Sequence, residues 1–299
     1  MSDAAHGNIS GKRLVIFGCG YVGGELALAG VSRGLQVTAL TRNESTADAL
    51  RAAGATVVVA DLATENWHRK IDAGADFVVN CVSSGGDGLA GYRRSYVEGM
   101  ESVLRWARTA GAAGTLVYSS STSVYPQDDG ARVDEDAPTA AAPERGQILL
   151  EAEARLHASD GACGRWFVLR LAGIYGPGRH RLLDQVRAGV IDGRGEHRLN
   201  LIYRNDICSA IWSVLNAPTT IASGIFNVAD DGAARKSEIA DWLAARLGLP
   251  PPRFTGDRTS VSRTTVPDRV VASDKIKAVL GWRPACPTFR EGYEKILSR

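Results

Sequence analysis

Apolar residues along this chain gather in short, mostly apolar runs that end in glycine or a polar turn. Leu14-Val15-Ile16-Phe17 is the first, and others cover 37–40, 56–60, 77–81, 116–119 and 166–171. A run without polar alternation predicts a strand buried on both faces, as in a parallel sheet. Between the runs the pattern is helical, over 22–33 closed by Gly34, around 47–53 ended by Gly54, over 92–110 and over 147–159. On the 92–110 segment, Tyr92, Tyr96, Val103, Leu104 and Ala107 share one face. Strand and helix thus alternate with short connections. That order predicts an α/β protein of the Rossmann type, a doubly wound parallel sheet with helices on both faces.

The second half is less regular. It carries a Gly/Pro/Arg-rich loop at 176–181, helical stretches at 206–216 and 236–247, a Pro-rich link at 250–252 and a last helix at 289–297. The expected organisation is a nucleotide-binding domain over 11–175 and a smaller α+β substrate lobe over 176–299. Segments around 206–230 are expected to return to the first domain.

The first run passes straight into Gly18-Cys19-Gly20-Tyr21-Val22-Gly23. This is G-x-G-x-x-G after a predicted strand and opening a predicted helix, the setting of a dinucleotide pyrophosphate site. Gly18 permits the tight turn, Gly20 lets the backbone approach the ligand, and Gly23 lets helix and strand pack closely. The helix N-terminus, with Tyr21 and Val22, faces the phosphates with free N–H groups and a positive dipole end. A tight turn without a ligand is the plainer alternative, but it does not need this placement.

The second strand ends Ala39-Leu40-Thr41-Arg42-Asn43, with no acid before Glu44. NAD-binding sites usually put a carboxylate there, on the ribose 2′-OH. Arg42 suits a 2′-phosphate instead, which favours NADP over NAD; an exposed loop arginine is the alternative. Asp61 and Leu62 end the third strand, where adenine is edged, and Asp61 reads either as a cofactor contact or as a helix cap.

Composition narrows the partners. Of 299 residues, 44% are hydrophobic and 23% charged, and Lys plus Arg (35) nearly balances Asp plus Glu (33). A net charge of +2 carries no field that would argue for nucleic acid or a membrane surface. No apolar run has the length of a membrane-crossing helix. The five Cys lack metal-ligand spacing, so no metal is expected and the thiols fit a reduced compartment. The polar segment 1–11 lacks the apolar core of a signal peptide. These points lead to a cytoplasmic protein with a small-molecule substrate, and a homodimer is compatible with them.

Four blocks, taken in order, resemble the extended short-chain dehydrogenase/reductases, the NAD-dependent epimerase/dehydratase family. They are the glycine loop, Tyr118-Ser119-Ser120-Ser121-Thr122-Ser123-Val124-Tyr125, Leu169-Arg170-Leu171-Ala172-Gly173-Ile174-Tyr175-Gly176-Pro177-Gly178 and Gly224-Ile225-Phe226-Asn227-Val228. Leu280-Gly281-Trp282-Arg283-Pro284 is a further echo. The family uses a Ser or Thr after strand five to polarise the substrate, a Tyr to exchange the proton, and a Lys four residues on. The resemblance gives Ser121 the first role. It places Arg145 near the Tyr position and Leu149 at the Lys position. None of the eight Tyr is followed by Lys four residues later, and no Lys occurs between Lys70 and Lys236. The chain therefore resembles an atypical subgroup that keeps the fold without the usual pair.

Other chemistry-bearing residues read plainly. His180 could donate a proton but is more simply solvated. Arg179, Arg181 and Arg198 could clamp a phosphate or carboxylate. Arg170 is expected to support the fold, Asp206 to cap a helix, and Trp67, Trp106, Trp242 and Trp282 to pack. Two functions stay open: an NAD(P)-dependent oxidoreductase or epimerase/dehydratase-like enzyme using Ser121 and Arg145, on a carbonyl, hydroxyl or nucleotide-sugar-like substrate, and a non-catalytic NAD(P)H-binding redox sensor or scaffold.

Overall fold

The computed structural model describes residues 9–72, 74–84, 86, 88–256 and 267–298, so most of the polar N-terminal segment lies outside the described residues. The first half runs β1 (Arg13–Phe17), α1 (Gly23–Ser32), β2 (Gln36–Thr41), α2 (Glu44–Ala52), β3 (Thr56–Val59), β4 (Phe77–Asn80), α3 (Gly88–Arg93), α4 (Gly99–Ala110), β5 (Ala113–Ser121), β6 (Ala131–Val133), α5 (Glu144–His157) and β7 (Cys163–Leu171). Then follow β8 (Gly173–Tyr175), α6 (Arg181–Arg187), β9 (Val190–Ile191), β10 (Arg198–Leu199), β11 (Leu201–Tyr203), α7 (Arg204–Leu215), β12 (Gly224–Val228) and β13 (Ala234–Arg235). The chain closes with α8 (Lys236–Leu247), β14 (Arg253–Phe254), β15 (Arg269–Val271), α9 (Asp274–Leu280) and α10 (Phe289–Leu297).

Seven strands form one sheet in the order β12-β7-β5-β4-β1-β2-β3, every neighbouring pair parallel. The apolar runs explain it. Leu14 and Ile16 join Leu26, Ala27 and Ile211 in the core on one face. Val15 and Phe17 join Trp67, Met100 and Trp106 on the other. Alternate side chains of one strand are buried on opposite faces, so no polar position is needed. A third core, with Leu183, Ile191, Leu243, Phe289 and Tyr293, lies among α6, α8 and α10.

Two local expectations need correction. The period over 92–110 predicts one continuous helix, but α3 stops at Arg93, Arg94–Glu98 form a π-helical turn, and α4 starts at Gly99. Hydrophobic period does not register a single extra residue in a turn. Asp206 does not cap its helix. It lies in the first turn of α7 and accepts the Ala285 and Cys286 N–H groups at 2.8 and 3.0 Å. A buried carboxylate takes the donors that tertiary structure brings it. Trp67, Trp106 and Trp282 are buried, and Trp242 packs on the Phe289 ring.

All five cysteines are free. Among the described residues there is no group able to hold a metal ion, and no helix long and apolar enough to cross a membrane.

Candidate functional site

The carboxyl ends of β1, β2, β4 and β5 open on a cavity of about 780 Å³. This is the edge at which doubly wound sheets hold ligands. Gly18, Gly20, Tyr21, Val22, Arg42, Asp61, Leu62 and Ser121 all line it; Gly23 lies beneath, packed on Gly18.

The glycines have separate reasons. Gly18 has φ +83°, and a Cβ there would sit 2.5 Å from the Val82 nitrogen. A Cβ on Gly23 would sit 2.3 Å from the Gly18 carbonyl oxygen. On Gly20 it would meet nothing within 4 Å, because that position faces the cavity. The Gly18 and Cys19 N–H groups are spent on the Leu40 carbonyl at 3.0 and 3.2 Å. Those of Tyr21 and Val22 meet no protein acceptor among the described residues. Free donors at a helix start, over an open cradle, fit an anionic phosphate.

At the end of β2, Arg42 is exposed. Asn43 caps α2, its Oδ1 accepting the Thr46 N–H at 2.8 Å. Glu44 is drawn toward Arg51, 3.7 Å away. This end of the cavity offers a guanidinium and no carboxylate from β2. Asp61 accepts from the Ala63 N–H at 3.0 Å and from Arg94 at 3.0 Å. Burial pushes its carboxyl up, but those donors outweigh burial and hold it below the ordinary value. Leu62 is buried against Gly99.

At the other end, Ser121 accepts the Ser123 N–H on Oγ at 3.2 Å and also faces the cavity. Behind it the family-like blocks meet. Ser120 donates to Glu153 at 2.6 Å, Glu153 takes two bonds from Arg170 (2.7 and 3.2 Å), and Arg170 reaches the Tyr125 hydroxyl at 3.0 Å. The Tyr125 hydroxyl donates to Asn227 at 2.7 Å. Arg269 clasps the same turn from β15, donating to the Thr122 and Tyr125 carbonyls at 2.8 and 2.7 Å. Arg170 and Glu153 are buried and fully paired; they hold the Ser121 turn in place.

Leu149 is fully buried. Arg145 stands in the first turn of α5 with its guanidinium 5.5 Å from the centre of the Tyr92 ring. Tyr92 and Tyr96 pack ring on ring at 4.5 Å, and both line the cavity with Ser95. Burial first, then Tyr92, pushes the Tyr96 phenol well up, so it stays protonated at neutral pH. The hydrophobic period places these tyrosines on one helical face and does not mark them as site residues. Only the π-helical turn and the approach of α5 assemble them with Arg145. Tyr125 and Tyr175 are buried elsewhere. His180 precedes α6 and pairs with Asp184 at 3.1 Å. Arg181 reaches Asp192 at 3.4 Å.

A model of the NAD dependent epimerase/dehydratase family matches residues 14–229. Protein YeeZ of Escherichia coli K12 is 30% identical over 249 residues, covering 81% of this chain and 86% of YeeZ. A 3-diazoavenalumate denitrifying reductase from a Streptomyces species is 31% identical over 222 residues, 67% of this chain and 70% of that protein. The UDP-glucuronic acid 4-epimerase of Bacillus cereus, solved with UDP-glucuronic acid and NAD, superimposes with TM-score 0.79 at 17% identity, covering 96% of this chain and 99% of that one.

Proposed function

The chain belongs to the NAD-dependent epimerase/dehydratase family, and from that premise we propose that it is an NAD(P)-dependent oxidoreductase, with NADP preferred, acting on a carbonyl or carbinol carbon of a small molecule. The observation that carries this reading is the single cavity joining the glycine loop to Ser121, Tyr92 and Tyr96. Tyr21 and Val22 would hold the pyrophosphate on their N–H groups, and Arg42 a 2′-phosphate. When bound, the dinucleotide supplies or accepts a hydride.

The chain's own residues do the rest. Ser121 donates a hydrogen bond to the substrate oxygen. As hydride reaches a carbonyl carbon, the oxygen takes a proton from the Tyr92–Tyr96 phenol pair, giving the alcohol. Arg145, over the Tyr92 ring, favours the phenolate left behind. Nucleotide-sugar and diazo-acid substrates are the classes that the names of the relatives suggest. The reading places the protein in the cytoplasm, needs no nucleic acid, membrane or metal, and is compatible with a homodimer.

One observation favours the redox-sensor reading: the Lys position of the family is filled by a core leucine, Leu149. The two are separated by titrating the protein with NADPH and NADH, then following NADPH oxidation with carbonyl compounds, UDP-sugars and aromatic diazo acids. Turnover supports the enzyme. Tight binding without turnover on the whole panel supports the sensor, and no dinucleotide binding overturns both.

A further inference from the structure

Several arginines around the cleft are already neutralised. Arg94 pairs with Asp61 at 3.0 Å, Arg198 with Asp268 at 2.8 Å and Arg204 with Glu25 at 2.9 Å. Arg179 also lines the cavity and is exposed. It makes no ion pair with any carboxylate among the described residues, and its guanidinium stands 5.5 Å from the centre of the Tyr21 ring.

That ring belongs to the glycine loop, between Gly20 and Val22, and it is fixed. The Tyr21 hydroxyl donates to the Pro177 carbonyl at 3.0 Å, and Arg204 covers the ring at 4.9 Å. The loop carrying Arg179 is fixed as well. Gly176 and Arg179 exchange backbone hydrogen bonds at 3.1 and 3.0 Å. A Cβ on Gly176, where φ is +152°, would stand 2.7 Å from the Tyr21 hydroxyl, so the loop closes directly on the ring. A long exposed side chain normally loses rotamer freedom when it engages a ligand. Here stacking on Tyr21 and a closed turn have ordered it beforehand.

The charge balance gives this cation a purpose. A pyrophosphate brings two negative charges, and a helix start offers only about half a positive one. The cleft has no lysine to add, since none lines it among the described residues.

We propose that Arg179 is a clamp on the dinucleotide pyrophosphate, delivered from the loop at 176–179 and stacked on Tyr21 to complete the glycine loop's anion site. The proposal rests on the dinucleotide reading above. Arg42 would answer for the 2′-phosphate alone, and Arg179 for the part that NADPH and NADH share.

The test uses the full chain and calorimetric titration with NADPH and NADH at low and high salt. Arg179→Gln should weaken both dinucleotides by the same factor, about ten- to a hundredfold, as expected for a lost charge-assisted hydrogen bond. Its NADPH affinity should also fall less steeply with salt than that of the wild type. Arg179→Lys should recover part of the affinity, and the unliganded thermal midpoint should stay unchanged in both variants. Wild-type affinity in a folded Arg179→Gln protein overturns the clamp and leaves the dinucleotide reading standing. Weaker binding with an unaltered salt dependence, or with a lowered midpoint, overturns it too, because Arg179 would then act only through the loop. A wild type that binds neither dinucleotide overturns the cofactor reading and the clamp together.

Discussion

Gly20→Val separates cofactor binding from folding. A Cβ at Gly20 meets nothing within 4 Å, so the isopropyl group should disturb the unliganded protein by no more than about 0.5 kcal/mol. That corresponds to a thermal midpoint within about 2 °C of the wild type. The same group projects into the space through which a phosphate reaches the Tyr21 and Val22 N–H groups. Losing two charge-assisted hydrogen bonds at about 1.5–3 kcal/mol each sums to about 3–6 kcal/mol, which is about two to four decades in affinity. Gly23→Ala provides the contrast. Its Cβ would stand 2.3 Å from the Gly18 carbonyl, so helix and strand must separate at a cost of about 1–3 kcal/mol, seen as a lower midpoint. Thermal unfolding and NADPH titration on the three proteins decide the matter. A folded Gly20→Val protein with wild-type affinity for NADPH would refute the glycine-loop assignment.

Arg42→Ala should weaken NADPH by about 1.5–3 kcal/mol and leave NADH nearly unchanged; equal losses, or a wild type preferring NADH, would count against the 2′-phosphate role. Ser121→Ala and Tyr96→Phe should each lower kcat with little change in dinucleotide affinity. Tyr125→Phe, which cuts the bond to Asn227, should lower stability rather than kcat, and the reverse pattern in steady-state rates would sink the phenol assignment. Asp230 is buried, and its Oδ2 finds no partner among the described residues. Burial, with Asp231 and Asp206 adding to it against the Gly232 N–H, pushes its carboxyl from 3.8 to about 8. The folded state then holds a proton that the unfolded chain releases, so this stabilisation is complete below the ordinary carboxylate range and is lost as pH rises toward 8. The slope is at most about 1.4 kcal/mol per pH unit. Asp230→Asn should flatten that decline in unfolding experiments, and an unchanged pH profile would show that Asp230 is ionised in the folded protein.

Much of this architecture is local chemistry and can be read from the chain. The run at 14–17 needs two dry faces, and the sheet supplies them. The glycine loop is local in most respects, because Gly23 answers to the Gly18 carbonyl and Gly20 to open space within one strand–turn–helix unit, while Gly18 also answers to Val82 beyond the end of β4. The missing acid after β2 and the missing Lys after Arg145 are visible in the same way, being facts about single positions.

What stayed hidden depends on partners far along the chain. Nothing near Asp206 announces the N–H groups of Ala285 and Cys286, which displace it from the capping role. Tyr92 and Tyr96 show only a shared helical face in the sequence because a π-helical turn leaves no mark on the hydrophobic period, and Arg145 reaches them only once α5 is laid beside them. Arg269, 144 residues beyond the Tyr125 carbonyl it holds, carries no signal of its own either. Hydrophobic period reports which face of an element is buried. Hydrogen bonds and ion pairs are satisfied by whichever group the packed elements bring within about 3 Å, and that choice belongs to the tertiary structure.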